Sequence, residues 1–362
     1  MSISRDDLVA TSVKVILDGQ DESGGYVAGP TFPTYQFAWF RDGSYCALAM
    51  ETVDGGESAG AFHAWAVGTV LRHREVFEAA TRDAATLPPS QMPPARFELD
   101  GSVESGAEGW PNFQLDGYGT WLWVFADHLR HVGRTPSEHE RDAVRLVADY
   151  LAVGDRSCSD CWEEYVDRRH AATIGASAAG LGAAARLLDD ERLASAAAEL
   201  VDVLAREFVR DGALRKDDAT VRVDASLLWL ALPLGVFDVN DAVFAATVDR
   251  VADDLQVKGR GVRRYLGDTY YGGGEWLLLT AWLGWVRCAQ GNLETARLLR
   301  GWIEEQATEE GWLTEQVLDH PQDEQHIAPW QLRWGPVATP LLWSHAMYLI
   351  LDNAIGEAET GR

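Results

Sequence analysis

Residues 174–208, "IGASAAGLGAAARLLDDERLASAAAELVDVLAREF", contain two different kinds of predicted helix in direct succession. Residues 174–188 are apolar nearly all round, whereas residues 191–208 mix apolar and charged positions at helical spacing. A helix that is hydrophobic on every side must be buried, and an amphipathic helix can cover it from outside. This stretch therefore predicts a fold in which inner and outer helices alternate along the chain.

The alternation continues through the whole sequence, in which helical periodicity is strong and strand signals are weak. About twelve helices are predicted, with starts near residues 5, 42, 58, 115, 137, 171, 190, 223, 240, 274, 292 and 338. The even-numbered helices are apolar, for example "WLWVFADHL" (121–129) and "ASLLWLALPL" (225–234), and the odd-numbered ones are amphipathic. This pattern predicts an all-α fold, a closed (α/α)6 barrel of six inner and six outer helices.

The predicted connections alternate between long and short. Because successive helices run antiparallel, the long connections all lie on one face, at the N-terminal ends of the inner helices. Loops longer than about 12–15 residues are usually functional in a compact domain, so this face is expected to carry the site. No linker divides residues 1–362, which predicts a single domain. The long connections run near 18–41, 83–114, 154–170, 209–222, 257–273 and 307–337.

The charge of the chain restricts its partners. The net charge is −25 at pH 7, and such a surface repels a phosphate backbone, so neither nucleic acid nor an anionic membrane is an expected partner. Only Lys14, Lys216 and Lys258 are lysines among the 31 basic residues. An acidic, lysine-poor surface fits a halophilic protein in a salt-rich cytoplasm, although a GC-rich genome also favours arginine over lysine.

The start of the sequence and its cysteines predict a cytoplasmic protein. The first residues lack the basic-then-apolar pattern of a signal peptide, and no apolar stretch reaches the roughly 20 residues of a membrane helix. The four cysteines are too few for a disulfide scaffold.

Two of the long loops combine aromatic rings with polar side chains. The first ends in "YQFAWFRDGSY" (35–45), and the second contains "EGWPNFQLDGYGTWLW" (108–123). Such sets suit a sugar, because its C–H faces stack on rings while its hydroxyl groups need donors and acceptors. Two structural alternatives stay open, namely that Asp42 caps a helix and that the aromatic rings only pack in the core. The candidate residues are Tyr35, Trp39, Arg41, Asp42, Asn112, Gln114 and Asp116.

The third long loop, "CSDCWEEYVDRRH" (158–170), places Glu163 and Glu164 side by side. Its CxxC pair, Cys158 and Cys161, could bind a metal, but a closed zinc site needs four ligands and the chain has no second CxxC. We therefore expect no metal site, and interpret the two thiols as incidental.

The sixth long loop, "GWLTEQVLDHPQDEQ" (311–325), offers Glu315 or Glu324 as a second carboxylate. It lies three long loops away from Glu163, so a carboxylate from each loop would face the other across the barrel. Inverting glycosidases need this arrangement: a protonated acid serves the leaving oxygen, and a carboxylate roughly 6.5–9.5 Å away activates water.

Six segments, in order along nearly the whole chain, together resemble glycoside hydrolase family 15, the glucoamylase family. Each is a weak signal alone, but all six fall on the predicted long-loop face. The segments are "YQFAWFRDGSY" (35–45), "WPNFQLDGYG" (110–119), "CWEE" (161–164), "RRYLGDTYYGGGEWLL" (263–278), "GWLTEQ" (311–316) and "PLLWSHAMYL" (340–349).

The resemblance implies a role for each candidate residue. Glu163 matches the general acid, and Glu315 the base, with Tyr35 helping to hold the attacking water. For Glu163 to act as an acid its pKa must be raised, which we expect from the neighbouring Trp162 and from the charge of Glu164. The resemblance places further sugar contacts at Arg41, Asp42, Trp110, Glu164 and Arg264, with Asp268 in a supporting position.

The implied enzyme is an inverting exo-acting α-glucosidase that releases β-D-glucose from a small oligosaccharide without a metal or organic cofactor. The first predicted helix begins almost at Met1, so an N-terminal β-sandwich domain, common in this family, is not expected. This form is most similar to members that act on isomaltose-type α-1,6 linkages. Maltose-type α-1,4 linkages, trehalose and a non-catalytic glucan-sensing role stay open as alternatives, with linkage decided near Trp110, Glu164 and Trp330.

Overall fold

The computed structural model of the protein describes residues 3–104, 110–154 and 156–361, which are mainly α-helical. The helices are α1 (Arg5–Asp18), α2 (Phe40–Glu51), α3 (Gly56–Arg72), α4 (Arg74–Asp83), α5 (Asp116–His131), α6 (Glu138–Leu151), α7 (Ala171–Leu188), α8 (Glu191–Val203), α9 (Ala242–Leu255), α10 (Leu277–Ala289), α11 (Leu293–Glu305), α12 (Ile327–Trp334) and α13 (Leu342–Thr360). The short strands pair antiparallel, β1 (Ala38–Trp39) with β2 (Arg96–Phe97), β3 (Val209–Arg210) with β4 (Ala213–Leu214), and β5 (Glu275–Trp276) with β6 (Gln316–Val317).

The inner helices form a closed ring. Helix α2 contacts α5, α5 contacts α7, and α7 contacts a 3-10 helix, Ala225–Leu230. This short helix contacts α10, which contacts α13, and α13 contacts α2 again. Helices α1, α3, α6, α8, α9 and α11 pack around this ring. The predicted all-α (α/α)6 barrel is therefore confirmed.

One inner helix differs from its prediction. The segment near residue 223 forms only the six-residue 3-10 helix Ala225–Leu230. Pro233 follows it closely, and a proline disfavours the helical conformation of the residue before it and cannot donate a backbone hydrogen bond. The apolar pattern predicted burial correctly, because all six residues of this helix are buried.

Two predicted element boundaries also differ from those in the structure. The third predicted helix is two helices, α3 and α4, which meet at His73. The predicted loop 307–337 contains the short helix α12, which the sequence pattern did not indicate. The prediction of one domain over residues 1–362 stays a prediction.

Helix α7 shows why a long apolar helix need not cross a membrane. By length and composition it could span one, but 83% of it is buried inside the structure. Its backbone touches that of α5: a Cβ atom added to Gly180 would lie 2.5 Å from the carbonyl oxygen of Gly119. Small residues are therefore needed where these inner helices meet.

We expect Gly180→Ala to lower the free energy of unfolding by about 1–3 kcal/mol, because the added methyl group forces α5 and α7 apart. Gly182→Ala is the matched control in the same helix, where an added Cβ meets nothing closer than 3.8 Å. This control should gain up to about 1 kcal/mol from the higher helix propensity of alanine. Urea denaturation of both variants measures the difference, and equal effects would contradict the packing argument.

Backbone contacts join the long loops into a continuous rim on one face. Strand pair β1–β2 joins the first loop to the second, and β5–β6 joins the fifth to the sixth. The amide of Ser159 donates to the carbonyl of Phe113 (3.1 Å), which joins the third loop to the second. The fourth loop is bridged to the third at His170–Asp217 and, through Asp224–Tyr265, to the fifth. This rim fixes the side chains above the N-terminal ends of the inner helices.

Candidate active site

A cavity of about 450 Å³ lies inside the rim. Most of the sequence-predicted catalytic and substrate-binding residues line it, whereas Asp268, expected to be supporting, and the polar residues Asn112, Gln114 and Asp116 do not. The predicted residues in its wall are Tyr35, Trp39, Arg41, Asp42, Trp110, Glu163, Glu164, Arg264 and Glu315. Side chains from separate loops therefore converge on one space large enough for a small ligand.

Glu163 lies on the loop before α7, with its carboxylate at the cavity wall. The indole N–H of Trp39 donates a 3.0 Å hydrogen bond to its Oε1. Burial among its neighbours raises the pKa of Glu163, while the positive charges of Arg96 and Arg41 act in the opposite direction. Its backbone has φ of +69°, in the left-handed region that a residue with a side chain adopts only when its surroundings hold it there.

The carboxylate of Glu164 is held by side chains of the fifth loop. Its carboxylate accepts hydrogen bonds from the Tyr265 hydroxyl and from Arg264 Nη2, the latter at 3.4 Å. The acid whose charge raises the pKa of Glu163 is Asp42, after the larger effect of burial. The charge that favours a protonated Glu163 therefore comes from the first turn of α2 rather than from the adjacent residue.

Glu315 lies on the loop before β6 and is almost fully buried. The Tyr35 hydroxyl donates a 2.8 Å hydrogen bond to its Oε1 and lies 3.0 Å from the hydroxyl of Tyr270. Burial raises the pKa of Glu315 to about 7, and the hydrogen bond from Tyr35 opposes that rise. Its Oε2 has no hydrogen-bond partner among the described residues, so it can accept one from a water molecule.

The two glutamates enter the cavity from opposite sides of the ring. Glu163 precedes α7 and Glu315 precedes the element that leads to α13, and these two inner helices are three places apart in either direction. The alternative carboxylate, Glu324, is exposed on a 3-10 helix, Glu324–His326, and does not line the cavity. The geometry therefore favours Glu315 as the partner of Glu163.

Arg41 and Asp42 form a buried charged pair in the first turn of α2. Arg41 Nη2 lies 3.2 Å from Asp42 Oδ2, and Arg41 Nη1 donates to Gln114 Oε1 and Asp116 Oδ2, both at 3.2 Å. The N-cap of α2 is Trp39, so Asp42 is not the capping residue considered as an alternative. Its carboxylate is directed to the cavity wall instead.

The polar residues of the second loop support the site rather than line it. Gln114 and Asp116 are buried and hold Arg41. The Asn112 side chain accepts 3.0 Å hydrogen bonds from the backbone amides of Ala95 and Arg96, which fixes β2. The interpretation of these three side chains as direct sugar contacts is not supported by their positions. Residues 108 and 109 of the same segment lie outside the described part of the chain.

Arg264 and Asp268 form a bidentate pair, with Nε–Oδ2 and Nη2–Oδ1 distances of 2.7 and 2.5 Å. Asp268 is fully buried and lies outside the cavity wall, as a supporting residue would. The guanidinium also lies 5.1 Å from the ring centres of Tyr270 and Trp276. Asp268 therefore fixes the orientation of an arginine that faces the cavity.

Several residues in the cavity wall were not predicted from the sequence. Arg96, from β2, lies over the rings of Trp39 and Trp110 at 5.1 and 4.5 Å and pairs with Glu104. No motif marks it. Trp276 and Trp343 had a signal, because they lie at the start of the inner helices α10 and α13. The unpredicted lining residues include Arg96, Tyr270, Trp276, Arg333, Trp334 and Trp343.

The family model for glycosyl hydrolases family 15 matches residues 3–328 of this chain. The chain belongs to glycoside hydrolase family 15. As a family 15 member it is a glycoside hydrolase, and its cavity is the expected place for a small sugar substrate.

Relatives of this family 15 enzyme support the same conclusion. It is 41% identical over 361 residues to an isomaltose glucohydrolase from Kribbella flavida, covering 97% of this chain and 93% of that protein. Solved structures of a glycosidase superpose with a TM-score of 0.91 at 40% identity, covering 97% of this chain and 96% of theirs. One of them is a glutamate-to-alanine variant in complex with glucose. A bacterial glucoamylase complexed with acarbose shares the fold, with a TM-score of 0.77 at 20% identity and coverage of 97% and 55%.

Proposed function

We propose that this family 15 enzyme is an inverting, exo-acting α-glucosidase that releases β-D-glucose from the non-reducing end of small α-glucosides. Isomaltose-type α-1,6 linkages are its preferred substrates. The observation that carries the proposal is the placement of Glu163 and Glu315 on opposite sides of one cavity, beside the Arg41–Asp42 pair.

Glu163 is the proton donor in this proposal. As the glycosidic bond breaks, positive charge develops on the sugar ring, and the leaving oxygen must gain a proton. The raised pKa of Glu163 keeps a proton available on that carboxyl group. The indole N–H of Trp39 orients the carboxylate by its bond to Oε1.

Glu315 is the base that removes a proton from the attacking water. A hydrogen bond from a hydroxyl group favours the ionised carboxylate, and Glu315 receives one from Tyr35, whose hydroxyl lies 3.0 Å from that of Tyr270. Oε2, which lacks a partner among the described residues, is the atom available to the water. Attack from the face opposite Glu163 would invert the α-linkage and release β-glucose.

The unsatisfied polar atoms of the cavity support binding of a terminal sugar. Arg41 Nε is buried and makes no hydrogen bond within the described residues, and the same holds for the indole nitrogens of Trp110, Trp276 and Trp343. Buried polar groups without partners are unfavourable, so a ligand that satisfies them gains affinity. The hydroxyl groups of one glucose residue provide such partners, while the indole rings can stack on its C–H faces.

Helix α12 supports a short substrate. It places Trp330, Arg333 and Trp334 in the cavity wall, where they narrow the space for sugars beyond the first. The similarity to an isomaltose glucohydrolase supports the α-1,6 linkage. The unpaired, buried thiols of Cys158 and Cys161 fit a reducing compartment, so we propose that the enzyme acts on imported oligosaccharides in the cytoplasm.

The test is a comparison of initial rates on isomaltose, maltose and trehalose, each at low and high salt. We expect isomaltose to be hydrolysed with the highest kcat/KM. Faster hydrolysis of trehalose would replace the proposal by a trehalase, and faster hydrolysis of maltose would reverse the linkage preference. No hydrolysis at either salt concentration would favour the glucan-sensing alternative.

A Tyr35→Phe variant tests the ionisation of Glu315. Because the Tyr35 hydroxyl lowers the pKa of Glu315, its loss should raise that pKa and move the acid limb of kcat/KM to higher pH. A shift of about one unit corresponds to a hydrogen bond to a charged group. The activity loss should thus be greatest below the wild-type pKa of about 7 and shrink as pH rises.

The matched control is Tyr348→Phe, which removes a hydroxyl bonded to Glu304 outside the cavity. Its pH profile should coincide with that of the wild type. A Tyr35→Phe profile lowered by the same factor at every pH would contradict the assignment of Glu315 as the ionised group.

A further inference from the structure

Lys216 is a buried lysine outside the cavity wall, with only 6% of its surface exposed. The other two lysines, Lys14 and Lys258, are exposed. Lys216 Nζ lies 2.8 Å from Asp160 Oδ2 and 2.8 Å from Asp224 Oδ2. A buried ammonium group persists only when it is paired in this way, so the three groups form one unit.

Asp160 joins this unit to the turn that carries Glu163. While its Oδ2 faces Lys216, its Oδ1 accepts hydrogen bonds from the backbone amides of Trp162 (3.0 Å) and Glu164 (2.9 Å). The Asp160 carbonyl accepts a further bond from the amide of Glu163 at 2.9 Å. All three residues after Cys161 are thereby held by Asp160.

Asp224 holds the same turn from the other side. Its carboxylate accepts a hydrogen bond from the indole N–H of Trp162, with distances of 3.0 and 3.2 Å to its two oxygens. It also caps the 3-10 helix through the amide of Ser226. Trp162, directly before Glu163, is therefore fixed through its backbone by Asp160 and through its ring by Asp224.

We propose that Lys216 is a positioning residue for the proton donor. By pairing with Asp160 and Asp224 at the same time, it keeps both carboxylates at the turn and holds Glu163 in its left-handed conformation, aimed at the leaving oxygen. Lys216 does not line the cavity, so it acts through the groups that it contacts, which are Asp160, Asp224 and the ring of Tyr265 at 3.7 Å. The inference rests on the proposed role of Glu163 as the acid.

Two substrates separate this role from general destabilisation. Hydrolysis of isomaltose breaks a carbon–oxygen bond, and the departing sugar oxygen takes the proton of Glu163 while water adds to the anomeric carbon. Hydrolysis of α-glucosyl fluoride breaks a carbon–fluorine bond, fluoride leaves with the electron pair, and the water proton goes to the base. Fluoride needs no proton from Glu163, but both reactions need Glu315 and the sugar contacts.

We expect Lys216→Met to lose about 100-fold in kcat on isomaltose, which is the scale of a small misplacement of a catalytic group. Its rate on α-glucosyl fluoride should stay close to that of the wild type. Lys216→Arg, which keeps the cation, should recover part of the isomaltose activity. Lys14→Met is the control, because it removes an exposed lysine whose one ion pair within the described ranges is with Asp18, and both of its rates should be unchanged.

A second variant covers the case in which Lys216→Met fails to fold because two buried carboxylates lose their cation. In Lys216→Met/Asp224→Asn, the remaining Asp160 gives a charge of −1, equal to that of one lysine with two aspartates. The net charge of the unit is thus retained while the ion pairs that link Asp160 to residue 224 are lost. The same selective loss on isomaltose is therefore expected. Equal losses on both substrates, or no loss on isomaltose, would overturn the proposal for Lys216.

Failure of the proposed function gives a different result. Glu163→Gln is the reference, and it should show the same selective loss on isomaltose. If wild-type enzyme hydrolyses neither substrate, or if Glu163→Gln loses both activities equally, the role of Glu163 is wrong. If Glu163→Gln is selective and the Lys216 variants are not, only the inference about Lys216 fails.

Discussion

Glu163→Gln is expected to slow the hydrolysis of isomaltose by about 100- to 10,000-fold, the usual contribution of a general acid. Glutamine has the same shape and can still accept the hydrogen bond from the Trp39 indole, so the turn should remain in place. What it lacks is a transferable proton. The measurement is kcat on isomaltose, with circular dichroism to establish that the variant is folded.

Glu324→Gln is the matched control for this substitution, since Glu324 is an exposed glutamate of the sixth loop that does not line the cavity. Its kcat should equal that of the wild type. Near-normal turnover by Glu163→Gln would show that another group donates the proton. A large loss in Glu324→Gln would show that the exposed carboxylate takes part in the reaction.

Glu315→Gln is expected to lose activity on isomaltose and on α-glucosyl fluoride alike, because both reactions need a base to activate water. The loss should again be about 100-fold or more. This pattern differs from the selective loss expected of Glu163→Gln, so the two substrates assign the acid and the base separately. The assignment fails if Glu315→Gln retains fluoride hydrolysis.

The same substitution should stabilise the folded protein relative to the wild type increasingly as the pH rises from 5 to 8. Burial raises the pKa of Glu315 from 4.5 to about 7, so below pH 4.5 the carboxyl group is protonated whether the chain is folded or unfolded. As pH rises towards 7, the unfolded chain gains stability from ionisation that the folded protein lacks, and folding stability is lost. The full loss corresponds to about 3 kcal/mol. Because Glu315→Gln cannot ionise, its stability relative to wild type should increase between pH 5 and pH 8, as measured by urea denaturation. A difference that stays constant with pH would contradict the raised pKa.

The alternation of apolar and amphipathic helices predicted the barrel because the hydrophobic pattern of a segment reflects how it is buried. The pattern indicates burial even where the segment does not form the expected α-helix. Residues 225–230 illustrate this, since they are buried as predicted but form a 3-10 helix. Helix α12 was not predicted because it has only eight residues, which include Pro329 and border Gly335. So short a segment shows no recognisable helical period. Patterning thus predicts which residues are inside more reliably than it predicts the local helix type.

Some residues of the active site could be predicted from the sequence and others could not. Glu163, Glu315 and the Arg41–Asp42 pair could be predicted because they occur in distinctive segments on the loop face. Arg96 and Lys216 could not, since each becomes important only through contacts with distant residues, such as Trp110 and Asp160. The same limit applies to Gln114, whose sequence position suggests a sugar contact although its side chain holds Arg41.

Glu163 and Glu315 are proposed to act from opposite faces of the sugar and so to invert the configuration at its anomeric carbon. Proton NMR of the first glucose released from isomaltose tests it most directly, with spectra collected before mutarotation mixes the anomers. We expect that β-glucose appears first and that the α-anomer follows only at the rate of mutarotation. Initial release of α-glucose would contradict the inverting mechanism and the roles given to both glutamates.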